Sequence, residues 1–167
     1  MGEYVFPSSI TTQSATRADL APPTFPSGGV RWVAGRAYRL FKAGSAIADG
    51  ELFTIDAAET TVVGTDSAQE PVEIHVATAG ANERPFGANN YGAGITDNYW
   101  FWGICYGVGY VEYDAGTQTV GGAFGCAADG EAKAHVPATS IKGGYFMQAG
   151  TADADGYVFF DCLVGTD

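Results

Sequence analysis

Residues 99–113, YWFWGICYGVGYVEY, constrain the fold more than any other part of the chain. Even positions carry Trp100, Trp102, Ile104, Tyr106, Val108 and Tyr110, while odd positions from 103 to 109 carry Gly, Cys, Gly and Gly. A period of two is the strand signature, and aromatic and β-branched residues fit a pleated surface. Read as one strand, with a possible break near Tyr106-Gly107, it has one bulky face and one nearly bare face. Glycine weakens a strand interior unless something approaches closely. The bare face, at Gly103, Gly107 and Gly109, is expected to pack tightly under its own sheet, or to receive another sheet or a segment of a neighbouring molecule. Trp100 and Trp102 on the bulky face are expected to fill a core, to line a subunit interface, or to form a ligand platform.

Alternation continues elsewhere. RAYRLF (36–41), ELFTID (51–56) and GYVFFDCL (156–163) read as strands. PVEIHVA (71–77) places Val72, Ile74 and Val76 on one face and Glu73 and His75 on the other, a half-buried strand. Gly- and Asp-rich turn signals separate these runs, and no long stretch has helical periodicity. The expected class is all-β, a small antiparallel β-sandwich or barrel with an extended N-terminal arm. DGELF (49–53), DNYWF (97–101) and DGYVF (155–159) share one pattern, and the segments before them, KAGSAIADG, YGAGITDN and QAGTADADG, rhyme. Each copy reads as a tight turn feeding a strand. Their Asp residues lie 48 and 58 positions apart. That irregular spacing opposes a propeller or solenoid and suggests related β-units within one domain.

Residues 1–29 differ from the rest. Four of the seven prolines lie here, in FPSS and APPTFPSGG, and apolar residues stand singly. This reads as an extended Pro/Ser/Thr-rich arm, with Gly28-Gly29 marking the boundary to a β domain over 30–167. No apolar run is long enough to span a membrane. The start MGEYVF lacks a signal-peptide pattern, and Phe6 stands where a myristoylation motif needs Ser or Thr. The net charge of −11 opposes direct nucleic-acid binding. The charge is uneven. Residues 1–42 hold Arg17, Arg31, Arg36, Arg39 and Lys42 against Glu3 and Asp19, while residues 43–167 hold three basic and seventeen acidic side chains. The chain is either an acidic domain with an incidental basic strand or a polarised molecule whose N-terminal part faces an acidic partner. In the second case Phe6 and Phe25 of the arm, with Arg17, Arg31, Arg36, Arg39 and Lys42, are the contact candidates for a partner surface or a neighbouring subunit.

Catalytic patterns are missing. His75 and His135 stand apart from any activated nucleophile, and no P-loop, GxSxG, HExxH or GxGxxG motif occurs. Cys105, Cys126 and Cys162 are widely spaced among small or apolar residues and read as buried, inert thiols. TADADGY (151–157) has alternating Asp residues but lacks the remaining ligands of a calcium loop. Neither a cofactor, a metal nor an enzymatic activity is expected.

YRLFKAGSAIADGELFTID, then PFGANNYGAGITDNYWFWGICYGVGYVEYDAGTQTVGGAFGCAADGEA, then GGYFMQAGTADADGYVFFDCL resemble the small head proteins of tailed bacteriophages, the capsid decoration (cement) proteins and their relatives. The resemblance runs through residues 38 to 163 in order. The aromatic weight of the middle strand and the long proline-rich arm depart from the family pattern. The resemblance implies a small β domain that binds the major capsid protein on the outside of the mature head, often as a homotrimer. It would stabilise the head against internal DNA pressure. It also implies synthesis in the host cytoplasm, a final place on the virion, and no catalytic role. The alternative is an adhesin-like or fibre-associated virion module that binds host glycan through exposed rings.

Overall fold

The computed structural model describes residues 29–62, 72–81, 83–90, 92–137, 142–151 and 154–161. Every regular element among them is a strand. In chain order these are β1 (Val30–Val33), β2 (Arg36–Ala43), β3 (Leu52–Ile55), β4 (Thr61–Val62), β5 (Val72–Glu73) and β6 (His75–Thr78). They continue with β7 (Gly87–Ala88), β8 (Trp100–Tyr113), β9 (Ala123–Cys126), β10 (Ala132–Ala134), β11 (Gly144–Phe146) and β12 (Ala154–Asp161). The chain is all-β, as its periodicity predicts. Two pairings, β2 with β6 and β8 with β10, are parallel, so the sheet is mixed.

Ten strands form one sheet, ordered β1-β2-β6-β3-β7-β8-β10-β9-β11-β12, while β4 and β5 pair separately. Two further pairings, β2–β8 and β8–β12, close that sheet on itself twice. The strands β2, β6, β3, β7 and β8 make one cycle. The strands β8, β10, β9, β11 and β12 make the other. The 14-residue strand β8 belongs to both: residues 100–106 pair with β2 and residues 106–113 with β12.

The two cycles share a plan. In each, the first strand pairs antiparallel with the last (β2–β8, β8–β12) and the second with the fourth (β3–β7, β9–β11). In each, the middle strand runs parallel to the first and antiparallel to the second (β6 with β2 and β3, β10 with β8 and β9). The rhyming loops meet in pairs. Ile47 bridges Ile95 in the first cycle, and Gln118 bridges Gly150 in the second. The related β-units are therefore two copies of one closed unit that share a strand. The fourth loop, AGTQTVGG (115–122), lacks the Asp and so falls outside the sequence pattern.

The odd face of β8 is the inner one. Phe101, Cys105, Val111 and Tyr113 are fully buried. The bare positions are filled by this chain's own residues: Phe53 lies against Gly103, Gly35 and Arg36 of the first hairpin against Gly107, and Phe160, Asn90 and Ile104 against Gly109. The first cycle encloses Phe41, Ile47, Phe53, Val76, Ile95, Phe101 and Cys105. The second encloses Val111, Tyr113, Phe124, Cys126, Phe146, Val158 and Phe160, a cluster that continues into Leu52, Ala88 and Ile104 on strands of the first cycle. Edge-to-face ring pairs run through both, such as Phe53 with Phe101 at 5.5 Å and Tyr113 with Phe146 at 5.2 Å.

Three local expectations are corrected. The run 71–77 is not one strand: it breaks at Ile74, so that β5 pairs with β4 while β6 joins the first cycle. His75 is consequently buried rather than on a solvated face, with Nδ1 3.3 Å from the Glu59 carboxylate. Asp155-Gly156 is not a turn. It lies inside β12, and Gly156 is there because the Tyr113 ring occupies the place of a Cβ. Finally, β8 runs unbroken through Gly107. A bulge, in which Ala37 faces Tyr106 and Tyr38 faces Ile104, absorbs the irregularity.

Candidate docking face

The strands β1 and β2 form a hairpin closed by Ala34 and Gly35, whose φ values of 48° and 78° define a type I′ turn. The hairpin and its continuation to Lys42 carry Arg31, Arg36, Arg39 and Lys42 and no acidic residue. The Arg31 guanidinium sits 4.3 Å over the Trp102 ring, and Arg36 is exposed beside the turn. Arg39 is drawn over the Phe86 ring at 5.7 Å, with its Nε buried and unpartnered, and Lys42 is half-buried. The basic run is thus divided: Arg31 and Arg36 belong to the hairpin, and Arg39 turns to the flank of the first cycle. Phe6, Arg17, Phe25 and Cys162 lie outside the described residues.

The even face of β8 points outward and is partly covered, except at Ile104, which lies at the bulge, is fully buried and packs beside Gly109. Trp100 is 7% exposed, and Trp102 is half-buried beneath Arg31. These two rings therefore do not make an open groove. Exposed rings lie further along. Trp32 (59% exposed) meets Tyr106 edge-on at 5.5 Å, and Tyr106 meets Phe159 at 5.2 Å. Phe159 in turn faces Tyr145 on β11 and Val108 on β8, while Tyr157 faces Tyr110. An aromatic band thus crosses the outside of both cycles. The sequence shows its β8 members. Trp32, Tyr145 and Phe159 come from separate strands, and only the register places them beside it.

Where the cycles meet, the Asp residues of two repeats converge. Asp49, Tyr110, Asp155, Gly156 and Tyr157 line a cleft of about 250 Å³. The Tyr110 hydroxyl donates to the Asp49 carboxylate, and the Gly92 N–H reaches both groups at 2.9 Å. Burial, and then the bond to Asp49, push the Tyr110 phenol well above its usual range. The Asn90 side chain donates to the Tyr110 carbonyl at 2.5 Å and accepts from its N–H at 3.0 Å, acting as a short stand-in for a strand. The buried Asn89 donates to the carbonyls of Ala48 and Ala93 at 3.0 and 2.9 Å. Asp49 and Asn90 thus tie the first cycle to Tyr110 on the second half of β8, while Asn89 braces the loops of the first cycle. Among the described residues no cluster of three or more His, Cys, Asp or Glu side chains is placed to hold a metal.

No family model matches the chain, and no curated protein matches it. Among solved structures, the head fiber gp8.5 N base of bacteriophage phi29 is similar, with a TM-score of 0.54 and 13% identity. The match covers 76% of this chain and 95% of that one. At that identity the likeness is one of fold.

Proposed function

We propose that this chain is a structural protein of a phage virion, located on the head, with no catalytic role. One observation carries the reading: the fold likeness spans 95% of a head fiber base. The basic hairpin and the exposed aromatic band of an otherwise acidic molecule supply a surface suited to a protein partner. In its finer form the proposal is that the chain binds the major capsid protein on the outer surface, self-associates as a homotrimer, and cements the head. The arm reinforces the grip. Burying Phe6 or Phe25 on a neighbour contributes about 1.5–3 kcal/mol each, and prolines lower the entropy lost on docking. A second reading, a fibre-associated head module, is favoured by the similar protein being the base of a head fiber.

The test is co-sedimentation of the purified protein with heads that lack it, with DNA release followed on heating. Cementing predicts saturable binding and a higher release temperature. A fibre-associated module predicts binding with the release temperature unchanged. Absence of binding overturns both. Deleting residues 1–27 should leave the melting temperature unchanged while occupancy on heads falls. Equal occupancy would make the arm a passive tail.

A further inference from the structure

Closed cycles leave no strand edge bare, which is how barrels avoid unwanted pairing. Here every strand of the ten-stranded sheet has two or more hydrogen-bonded neighbours among the described residues, save one. The exception is β1, which pairs with β2 alone. In a two-residue hairpin the pair that closes the turn is hydrogen-bonded, and alternate pairs are not. Val33 and Arg36 close this turn, so Arg31 and Val33 bond to β2 while Val30 and Trp32 aim their N–H and C=O groups away from it. The bond from the Leu40 N–H to the Gly29 carbonyl at 3.2 Å continues the same alternation. Val30 and Trp32 are 36% and 59% exposed. Beyond its four-residue length and Arg31, β1 has none of the usual edge guards: no proline, no bulge and no lysine.

We infer that the outer edge of β1 is a strand-addition site that takes an extended acidic segment of a partner protein. Backbone bonds to Val30 and Trp32 supply the pairing, and the Trp32 ring supplies an apolar contact. The charge of the hairpin selects the partner. Arg36 is exposed at the turn of the hairpin, the Arg31 guanidinium lies over Trp102, and no Asp or Glu occurs from Gly29 to Lys42. Carboxylates on the incoming strand meet the Arg36 guanidinium and the positive field of the hairpin. A second copy of β1 would bring like charges together across the new ladder, which is destabilising. The residues just before β1, PTFPSGG (23–29), are poorly suited to folding back onto it, because Pro23 and Pro26 have no N–H to donate. The inference goes beyond the virion reading and does not depend on it.

The experiment uses the full chain and two short fluorescent peptides, one alternating Val and Glu, the other alternating Val and Lys. Fluorescence anisotropy should show the Glu peptide binding at least about tenfold more tightly than the Lys peptide, with the difference shrinking in high salt. Hydrogen exchange at the amides of Val30 and Trp32 should be fast in the free protein and slow in the complex. Trp32→Pro removes the outward donor, while Trp32→Thr keeps it. Binding should fall by about tenfold or more in the first and by distinctly less in the second, which loses the ring contact but keeps the backbone donor. Should the proline variant fail to fold, Arg36→Glu serves instead, and it should reverse the preference between the two peptides. Equal binding of both peptides, or an unchanged affinity on Trp32→Pro in a folded protein, overturns the inference. So does slow exchange at Val30 and Trp32 in the free monomer, which would mean that the chain's own residues occupy the edge. A concentration-dependent dimer lost on Trp32→Pro would assign the edge to a second copy and overturn the acidic partner.

Discussion

Tyr113 lies so closely across Gly150 and Gly156 that a Cβ at either position would overlap its ring. Its hydroxyl donates to the carbonyls of Gln148 and Tyr157 at 3.0 and 3.1 Å, so the ring is held at both ends. Gly156→Ala should therefore destabilise the protein by about 1–3 kcal/mol, the usual range for overpacking, as read by urea denaturation. The same burial pushes the Tyr113 phenol and the Cys126 thiol up to about 12, and Tyr110 rises as well. The folded protein holds these protons where the unfolded chain, with ordinary values of 9.0 for the thiol and 10.0 for the phenols, releases them. Their stabilisation is complete below about pH 9 and is lost as pH rises toward 12. Urea midpoints measured from pH 8 to pH 12 should be level at first and then fall. A level profile through pH 11 would contradict the burial of these groups. A stretch such as YVEYDAG gives no hint of this (Tyr113 reads there as one more alternating aromatic), because its ring partners lie about forty residues away in the chain.

At the scale of elements, the hairpin β1–β2 is closed by a residue under mild strain. Ala34 has a φ of 48°, a region that L-residues avoid and that Asn tolerates better. Ala34→Asn should raise stability by about 0.5–1 kcal/mol, and the gain should appear as a higher melting temperature without loss of binding at the β1 edge. The element-level reading of the sequence succeeded where alternation follows a strand of a single sheet. The strand at 36–41 lies within β2, and β8 covers all of the run at 99–113 but Tyr99. It failed at 71–77, where alternation was clean. There Val72 and Val76 serve different sheets, and only long-range pairing places the break at Ile74. The third Asp-Gly pair misled for a related reason. Asp-Gly favours a turn locally, but the Tyr113 ring demands glycine in the same place within a strand.

For the molecule as a whole, period-two patterning and glycine content made an all-β fold legible. The repeat motif announced related units. Sharing of β8 was not legible, because closure depends on which edges meet and no local pattern encodes that. Sharing has an energetic consequence: neither cycle can open fully without removing a strand from the other. Phe53→Ala in the first cycle and Phe146→Ala in the second should each cost about 3–5 kcal/mol. Both variants should unfold in a single transition, with tryptophan fluorescence and far-UV circular dichroism coincident. Two separated transitions would show that the cycles are independent.

Tyr106 has one further property. It is the partner both of Ala37, near the start of β2, and of Asp161, at the end of β12. The polypeptide thus returns to within about two strand widths, roughly 10 Å, of the place where the double cycle began. The path is nearly a circuit, and where it is cut is of little importance to its interior. A circular permutant should follow from this. Its Asp161 would be joined to Arg36 by a linker of about four residues, long enough to span that gap. Its new termini would lie at the exposed Gly116. It should fold to the same two cores without β1 or the arm, and it would carry whatever is fused to it beyond the Tyr113 end of β8, away from the mid-strand position of Tyr106.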